Sequence, residues 1–114
     1  MIWTEWDIAS FDFPDPVGEH PVVVISNPDR ATCAKIVNVL YCTSQKQNRP
    51  AGPDEVLLNG ADGLDWETYC RCDHIFSVER DKLKSRLRPA KVSVVRRRQI
   101  AARIVELFRF QVHS

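Results

Sequence analysis

The run Tyr69-Cys70-Arg71-Cys72-Asp73-His74 holds the densest set of reactive side chains in this 114-residue chain. On an extended strand successive side chains point to opposite faces, which places Arg71 and Asp73 on one face and Cys70, Cys72 and His74 on the other. A guanidinium beside a carboxylate suits a phosphodiester under attack by its neighbouring 2′-hydroxyl. That reaction needs a base for the hydroxyl proton, a cation for the charge on the phosphorane and an acid for the departing 5′-oxygen, and it proceeds without a metal. Thr43 and Ser44, ending another extended run, and His20, after a glycine-containing loop, supply further polar groups. Each also has an ordinary role: an Arg71–Asp73 ion pair bracing the sheet, a solvated His20, a threonine at home in a strand.

Cys70, Cys72 and His74 raise the question of zinc. Residues four apart on a strand are separated by about 13 Å at Cα, too far for both ends to reach one ion comfortably. Core cysteines and an edge histidine are the expected roles, with Cys33 the most exposed thiol and all four thiols reduced. No Gly-rich nucleotide loop and no Gly-X-Ser-X-Gly elbow occurs. Gln45, Lys46, Gln47, Asn48 and Arg49 form a polar stretch of the kind that reads single-stranded RNA, or a plain surface loop. Trp3, Trp6 and Trp66 are expected to pack internally rather than stack on bases.

The elements that must position these residues are short. Alternation over residues 8–13 predicts a strand leading into a turn at Pro14-Asp15-Pro16. The β-branched run of residues 21–26, stopped by Asn27-Pro28, predicts a central strand. Further strands are expected over residues 35–44, 55–58 and 68–78, with a surface loop over 45–53 and turns at Asn59-Gly60 and Asp62-Gly63. Residues 81–87 read as a short helix or turn. Ser93 caps a final helix whose stripe is Ile100, Ile104, Leu107 and Phe108, widened by Ala101 and Val105. Five strands and one helix predict one mainly β domain with α over residues 1–114. Its form is a small SH3-like barrel or a strongly curled antiparallel sheet closed by a C-terminal amphipathic helix.

The net charge of +1 hides a division, with five Lys/Arg against thirteen Asp/Glu in residues 1–79 and eleven against two in residues 80–114. Such a split serves an anionic ligand, an acidic partner or attraction within the molecule. No apolar run approaches the roughly 20 residues that cross a bilayer, and the N-terminus does not read as a signal peptide, so a cytoplasmic protein without membrane association is expected.

In family order and spacing, residues 21–27 (Pro-Val-Val-Val-Ile-Ser-Asn), Cys42-Thr43-Ser44, Gly63-Leu64 and Arg71-Cys72-Asp73 followed by His74-Ile75-Phe76-Ser77-Val78 resemble the MazF/PemK-like, Kid-like toxin endoribonucleases of type II toxin–antitoxin pairs. The resemblance covers about residues 6 to 110. It implies a sequence-specific, metal-independent endoribonuclease without a cofactor, cutting single-stranded RNA to 2′,3′-cyclic phosphate and 5′-hydroxyl ends. It also implies a homodimer and a cognate acidic antitoxin. Arg71 would then stabilise the transition-state phosphate, Asp73 act as general base or orienter, Thr43 hold a phosphate or another side chain, and His20 act as general acid, with Ser44 through Arg49 contacting RNA. His20 stands where one branch of the family has an arginine, and Trp6-Asp7 replaces the usual glycine-acidic opening of the first strand. A catalytically silent SH3-like RNA- or protein-binding module is the alternative. DNA binding through the basic helix is weaker, since no helix-turn-helix pattern precedes it.

Overall fold

A computed structural model describes residues 2–44 and 49–111. Six strands form one sheet: β1 (Asp7–Phe13), β2 (Gly18–Val24), β3 (Ile36–Ser44), β4 (Glu55–Leu58), β5 (Thr68–Glu79) and β6 (Ala90–Lys91). Their order is β4-β5-β3-β2-β1-β6, and every pairing is antiparallel. Helix α1 (Pro28–Cys33) joins β2 to β3, and α2 (Val94–Leu107) follows β6. Of the two architectures expected, the chain adopts the strongly curled antiparallel sheet with a C-terminal helix.

Each face of the sheet carries its own core. Val23, Leu40, Cys42, Cys70 and Cys72 face one side, where Ile100 of α2 covers them. Val22, Val24, Val39 and Val78 face the other, beneath Trp3 and Ala31 of α1. Burial on both faces accounts for the unbroken Val-Val-Val run of β2, which is central as expected.

β2 runs from Gly18 to Val24, shifted toward the N-terminus from the expected 21–26, and Asn27-Pro28 starts α1: the Asn27 side chain accepts the Arg30 amide at 3.0 Å, and proline occupies the first turn, where no amide partner is needed. A sixth strand, β6, is only two residues long, too short for a pattern, and pairs with Asp7 and Ile8. Of the short helix or turn expected over residues 81–87, the structure has the turn, the 3-10 element Arg80–Lys82, before Lys84 bridges Ser10. The stripe of α2 is narrower than its periodicity suggests: Ile100 is buried and Ile104 half-buried, while Ala101, Val105, Leu107 and Phe108 are exposed. Ser93 is the N-cap residue, yet its side chain makes no capping bond. The buried Asp62 carboxylate takes the Ser93 amide at 2.7 Å and the Asn59 amide at 2.9 Å, tying the helix start to the β4–β5 connection. Among the tryptophans, Trp3 is buried, Trp6 packs partly against the core, and Trp66 is 69% exposed, contrary to the packed role expected of it.

Part of the charge division is internal compensation. Lys84 meets Asp12 at 3.9 Å, Arg88 meets Asp65 at 3.5 Å and Lys91 meets Asp7 at 3.1 Å. Among the described residues, no helix is long and apolar enough to cross a membrane.

Candidate active site

The site is built on an irregularity in the longest strand. β3 and β5 pair in two registers, from Ile36–Glu79 to Leu40–Ile75 and from Cys42–Cys70 to Ser44–Thr68. Two steps along β3 are matched by five along β5, so residues 71–74 bulge opposite Tyr41. An odd number of extra residues exchanges the faces of the strand. Cys70 and Cys72 therefore lie in the core under α2, whereas Val78, of the same parity, lies in the opposite core, and Phe76 packs its ring 5.1 Å from that of Phe13.

This corrects the expected grouping of His74 with Cys70 and Cys72. His74 turns to the other side, its ring 6.0 Å from that of Tyr41, so the three cannot hold one ion. Adjacent residues that a regular strand would separate now meet: His74 Nδ1 lies 2.7 Å from Asp73 Oδ1. The expected Arg71–Asp73 pair is not formed, and no ion pair joins the two among the described residues.

Arg71 instead faces Glu55, its cross-strand partner on β4, with Nε 3.8 Å from Oε2. Glu55 is only 4% exposed and also accepts two bonds from Arg49, at 2.7 and 2.9 Å, and one from the Gly52 amide at 2.9 Å. The Arg49 bonds, aided by the Gly52 amide, outweigh the effect of burial and hold the Glu55 carboxyl at about 2, against an ordinary 4.5. Arg49 lies 4.2 Å over the ring of Tyr69, whose hydroxyl donates to the Arg49 carbonyl. Arg49, expected in the RNA-reading loop, is thus anchored to the sheet. Arg71 Nε is buried and has no hydrogen-bond partner among the described residues, although a third of the side chain is exposed.

Thr43 and Ser44 pair with Tyr69 and Thr68 at the end of β3. By alternation Thr43 shares the face of Tyr41, which pairs with Val22, and His20 shares the face of Val22. His20 is consequently brought against Tyr41, with ring centroids 4.7 Å apart. Its Nδ1 is 3.1 Å from the Cys42 carbonyl, and its Nε2 is 3.1 Å from the Val17 carbonyl and 3.3 Å from the Tyr41 hydroxyl. A neutral imidazole donates to only one of those carbonyls, an imidazolium to both.

Two clefts adjoin this chain of rings. One, of about 370 Å³, is lined by His20, Ser44, Trp66 and Arg86 among others. The second, of about 460 Å³ and largely apolar, is walled by Phe13, Val17, Tyr41, His74 and Phe76, with Asp15 at its edge. The structure thus joins His20, Tyr41, His74 and Asp73 in one series and sets Thr43 and Arg71 on strands beside it. Gln45, Lys46, Gln47 and Asn48 lie outside the described residues.

Tyr41 and Glu55, which adjoin the candidate residues, were not singled out from the sequence, and Trp66, weighed for base stacking, was expected to pack internally. Tyr41 carried a signal, as an aromatic two residues before Thr43 on an alternating strand. Glu55 carried none, since its pairing with Arg71 depends on strand register. Cys42, Cys70 and Cys72 are buried free thiols, and hydrogen bonding to Cys42 and Cys72 together with burial pushes the Cys70 thiol up. Cys33 is exposed, as expected.

A sequence profile of the PemK-like, MazF-like toxins of type II toxin–antitoxin systems matches residues 4–108. Among curated proteins no match is found. The fold is similar to that of a mycobacterial endoribonuclease solved in complex with its cognate antitoxin (TM-score 0.76, 17% identity, 96% of this chain and 98% of that one). It is similar to the Mycobacterium tuberculosis toxin MazF-mt6 (0.73, 15%, 93% and 99%). It also resembles a chain of the MazE–MazF complex of Deinococcus radiodurans (0.72, 16%, 97% and 99%). These identities speak for the fold alone, while the profile spans nearly the whole chain, so the protein belongs to the PemK-like, MazF-like toxin family of type II toxin–antitoxin systems, a family of endoribonucleases.

Proposed function

We propose that this chain is a toxin that cuts single-stranded RNA at specific sequences, without a metal, to 2′,3′-cyclic phosphate and 5′-hydroxyl ends. It acts in the cytoplasm as a homodimer and is neutralised by an acidic antitoxin. The observation that carries the reading is Arg71: a buried Nε with no hydrogen-bond partner among the described residues, on a side chain that still reaches solvent. An unsatisfied buried donor costs about 1–3 kcal/mol, and a bound phosphate oxygen removes that cost while receiving the charge the phosphorane needs. Thr43 hydrogen-bonds the phosphate or steadies a neighbour, and Asp73 sets the base. His20 delivers a proton to the departing 5′-oxygen once its Nε2 leaves the Val17 carbonyl. Ser44 and the polar stretch through Arg49 contact the strand. The similar folds solved with antitoxins support the partner.

The test incubates the purified protein with mixed-sequence single-stranded RNA in excess EDTA and maps the ends. Cyclic-phosphate ends at recurrent sequences are expected. Activity lost to chelation sinks the metal-free reading.

One observation favours the silent binding module instead. Both His20 nitrogens face backbone carbonyls, so the residue already has a structural role as a strut between the β1–β2 loop and β3. RNA or peptide bound tightly and left uncut decides for that module.

A further inference from the structure

We infer that His74 is the base of the reaction, with Asp73 orienting it rather than taking the proton itself. The inference rests on the ribonuclease reading above and names a residue which that reading leaves out.

The bulge of residues 71–74 carries the argument. It turns two consecutive side chains to the same side, and the Asp73 carboxylate accepts from His74 Nδ1 at 2.7 Å. A carboxylate on Nδ1 fixes the tautomer and ring orientation and leaves Nε2 as the acceptor, the arrangement by which an aspartate makes a neighbouring histidine an effective base. His74 Nε2 has no protein partner among the described residues, and the side chain is 40% exposed. His20 is placed otherwise, with both nitrogens against carbonyls. Of the two histidines, only His74 presents a free nitrogen.

His74 also borders a place for a nucleotide. The cleft of about 460 Å³ it shares with Phe13, Tyr41 and Phe76 exposes aromatic surface of the kind on which bases stack. A base seated there brings its ribose to the rim that holds His74. In the step itself, His74 Nε2 removes the 2′-hydroxyl proton as that oxygen bonds to phosphorus, and the bond from phosphorus to the 5′-oxygen breaks. The departing oxygen takes a proton from His20, and exchange with solvent water returns both rings to their starting states. The products are a cyclic phosphate and a 5′-hydroxyl, with no net change in protons.

The test measures cyclic-phosphate formation by the full-length protein on a short RNA containing its cleavage sequence. His74→Ala is expected to lower kcat by about 10²–10⁴-fold with KM changed less than about threefold. Added imidazole, small enough for the cleft, is expected to restore part of the rate to His74→Ala and none to Arg71→Ala. Asp73→Asn, which keeps the shape but not the orienting charge, should lower kcat and gain nothing from imidazole. A cleaving wild type with His74→Ala at the wild-type rate overturns the assignment of His74 alone. Loss of activity without imidazole rescue, in a variant with a native circular-dichroism spectrum, also overturns it, by reducing His74 to a structural role. A wild type that leaves RNA uncut overturns the ribonuclease reading and this inference together.

Discussion

Glu55 shows how one residue sets the electrostatics of the site. Buried and bonded to Arg49 and Gly52, it takes up the charge of Arg49 and only grazes Arg71, so the Arg71 guanidinium keeps capacity for a phosphate. Its carboxyl is held at about 2 in the folded chain against an ordinary 4.5, so its stabilisation is complete above pH 4.5 and is lost as pH falls toward 2. Glu55→Gln is expected to flatten the fall of the thermal midpoint across that window, at a general cost of about 1–3 kcal/mol from the weakened Arg49 contact. Acid unfolding curves of the two proteins check this, and parallel curves would count against it. The strand or strand-end positions of Arg71, Asp73, Thr43 and His20 were legible from the sequence. Their actual partners were not, because Glu55 lies sixteen positions before Arg71 and meets it only through the register of β4 on β5.

At the level of elements, the β5 bulge and the β4–β5 connection matter most. Strict alternation predicted the wrong face for His74 because it counts residues without knowing how many of them pair. Where one strand carries extra residues between two paired stretches, the surplus leaves the ladder, and here it leaves at residues 71–74 of the candidate site. The same limit explains β6, whose two residues find a place only because Gly63 lets the chain pass. Gly63 has φ 85°, and a Cβ there would lie 3.1 Å from the Ala90 backbone and 3.2 Å from its Cβ. Gly63→Ala should therefore destabilise the fold by about 1–3 kcal/mol through strain and displacement of β6, lowering Tm by roughly 5–10 °C. Calorimetry showing an unchanged Tm would contradict the packing described. Trp6 makes the opposite choice, holding φ 74° with a bulky side chain, and its packing against the core offsets the backbone cost. The strands at 35–44, 55–58 and 68–78 were readable to within a residue, since each combines β-branched or alternating positions with a firm stop.

Across the whole molecule, the curled sheet and terminal helix followed from the number and brevity of the strands, whereas the use of α2 did not. Its periodicity promised a wide buried stripe, yet one monomer covers little beyond Ile100 and Ile104. Val105 is 69% exposed, Leu107 40%, Phe108 39% and Phe110 83%, apolar side chains that a partner surface would cover. The proposed homodimer is expected to sediment at twice the 13.1 kDa chain mass at micromolar concentration. A single 13.1 kDa species would remove the dimer from the account. The charge division is partly spent internally through Lys84, Arg88 and Lys91, while Arg98 and Arg103 of α2 stay exposed. Affinity for an RNA or an acidic antitoxin should accordingly fall as salt rises.

The central claim is that RNA is cut on the face that holds Arg71, and single-turnover cleavage of end-labelled RNA in EDTA tests it most directly. Wild type should convert the strand to a cyclic-phosphate fragment, and Arg71→Ala, folded by circular dichroism, should do so about 10²–10³-fold more slowly. Equal rates for the two proteins, or a wild type that binds the strand and leaves it whole, would contradict the claim.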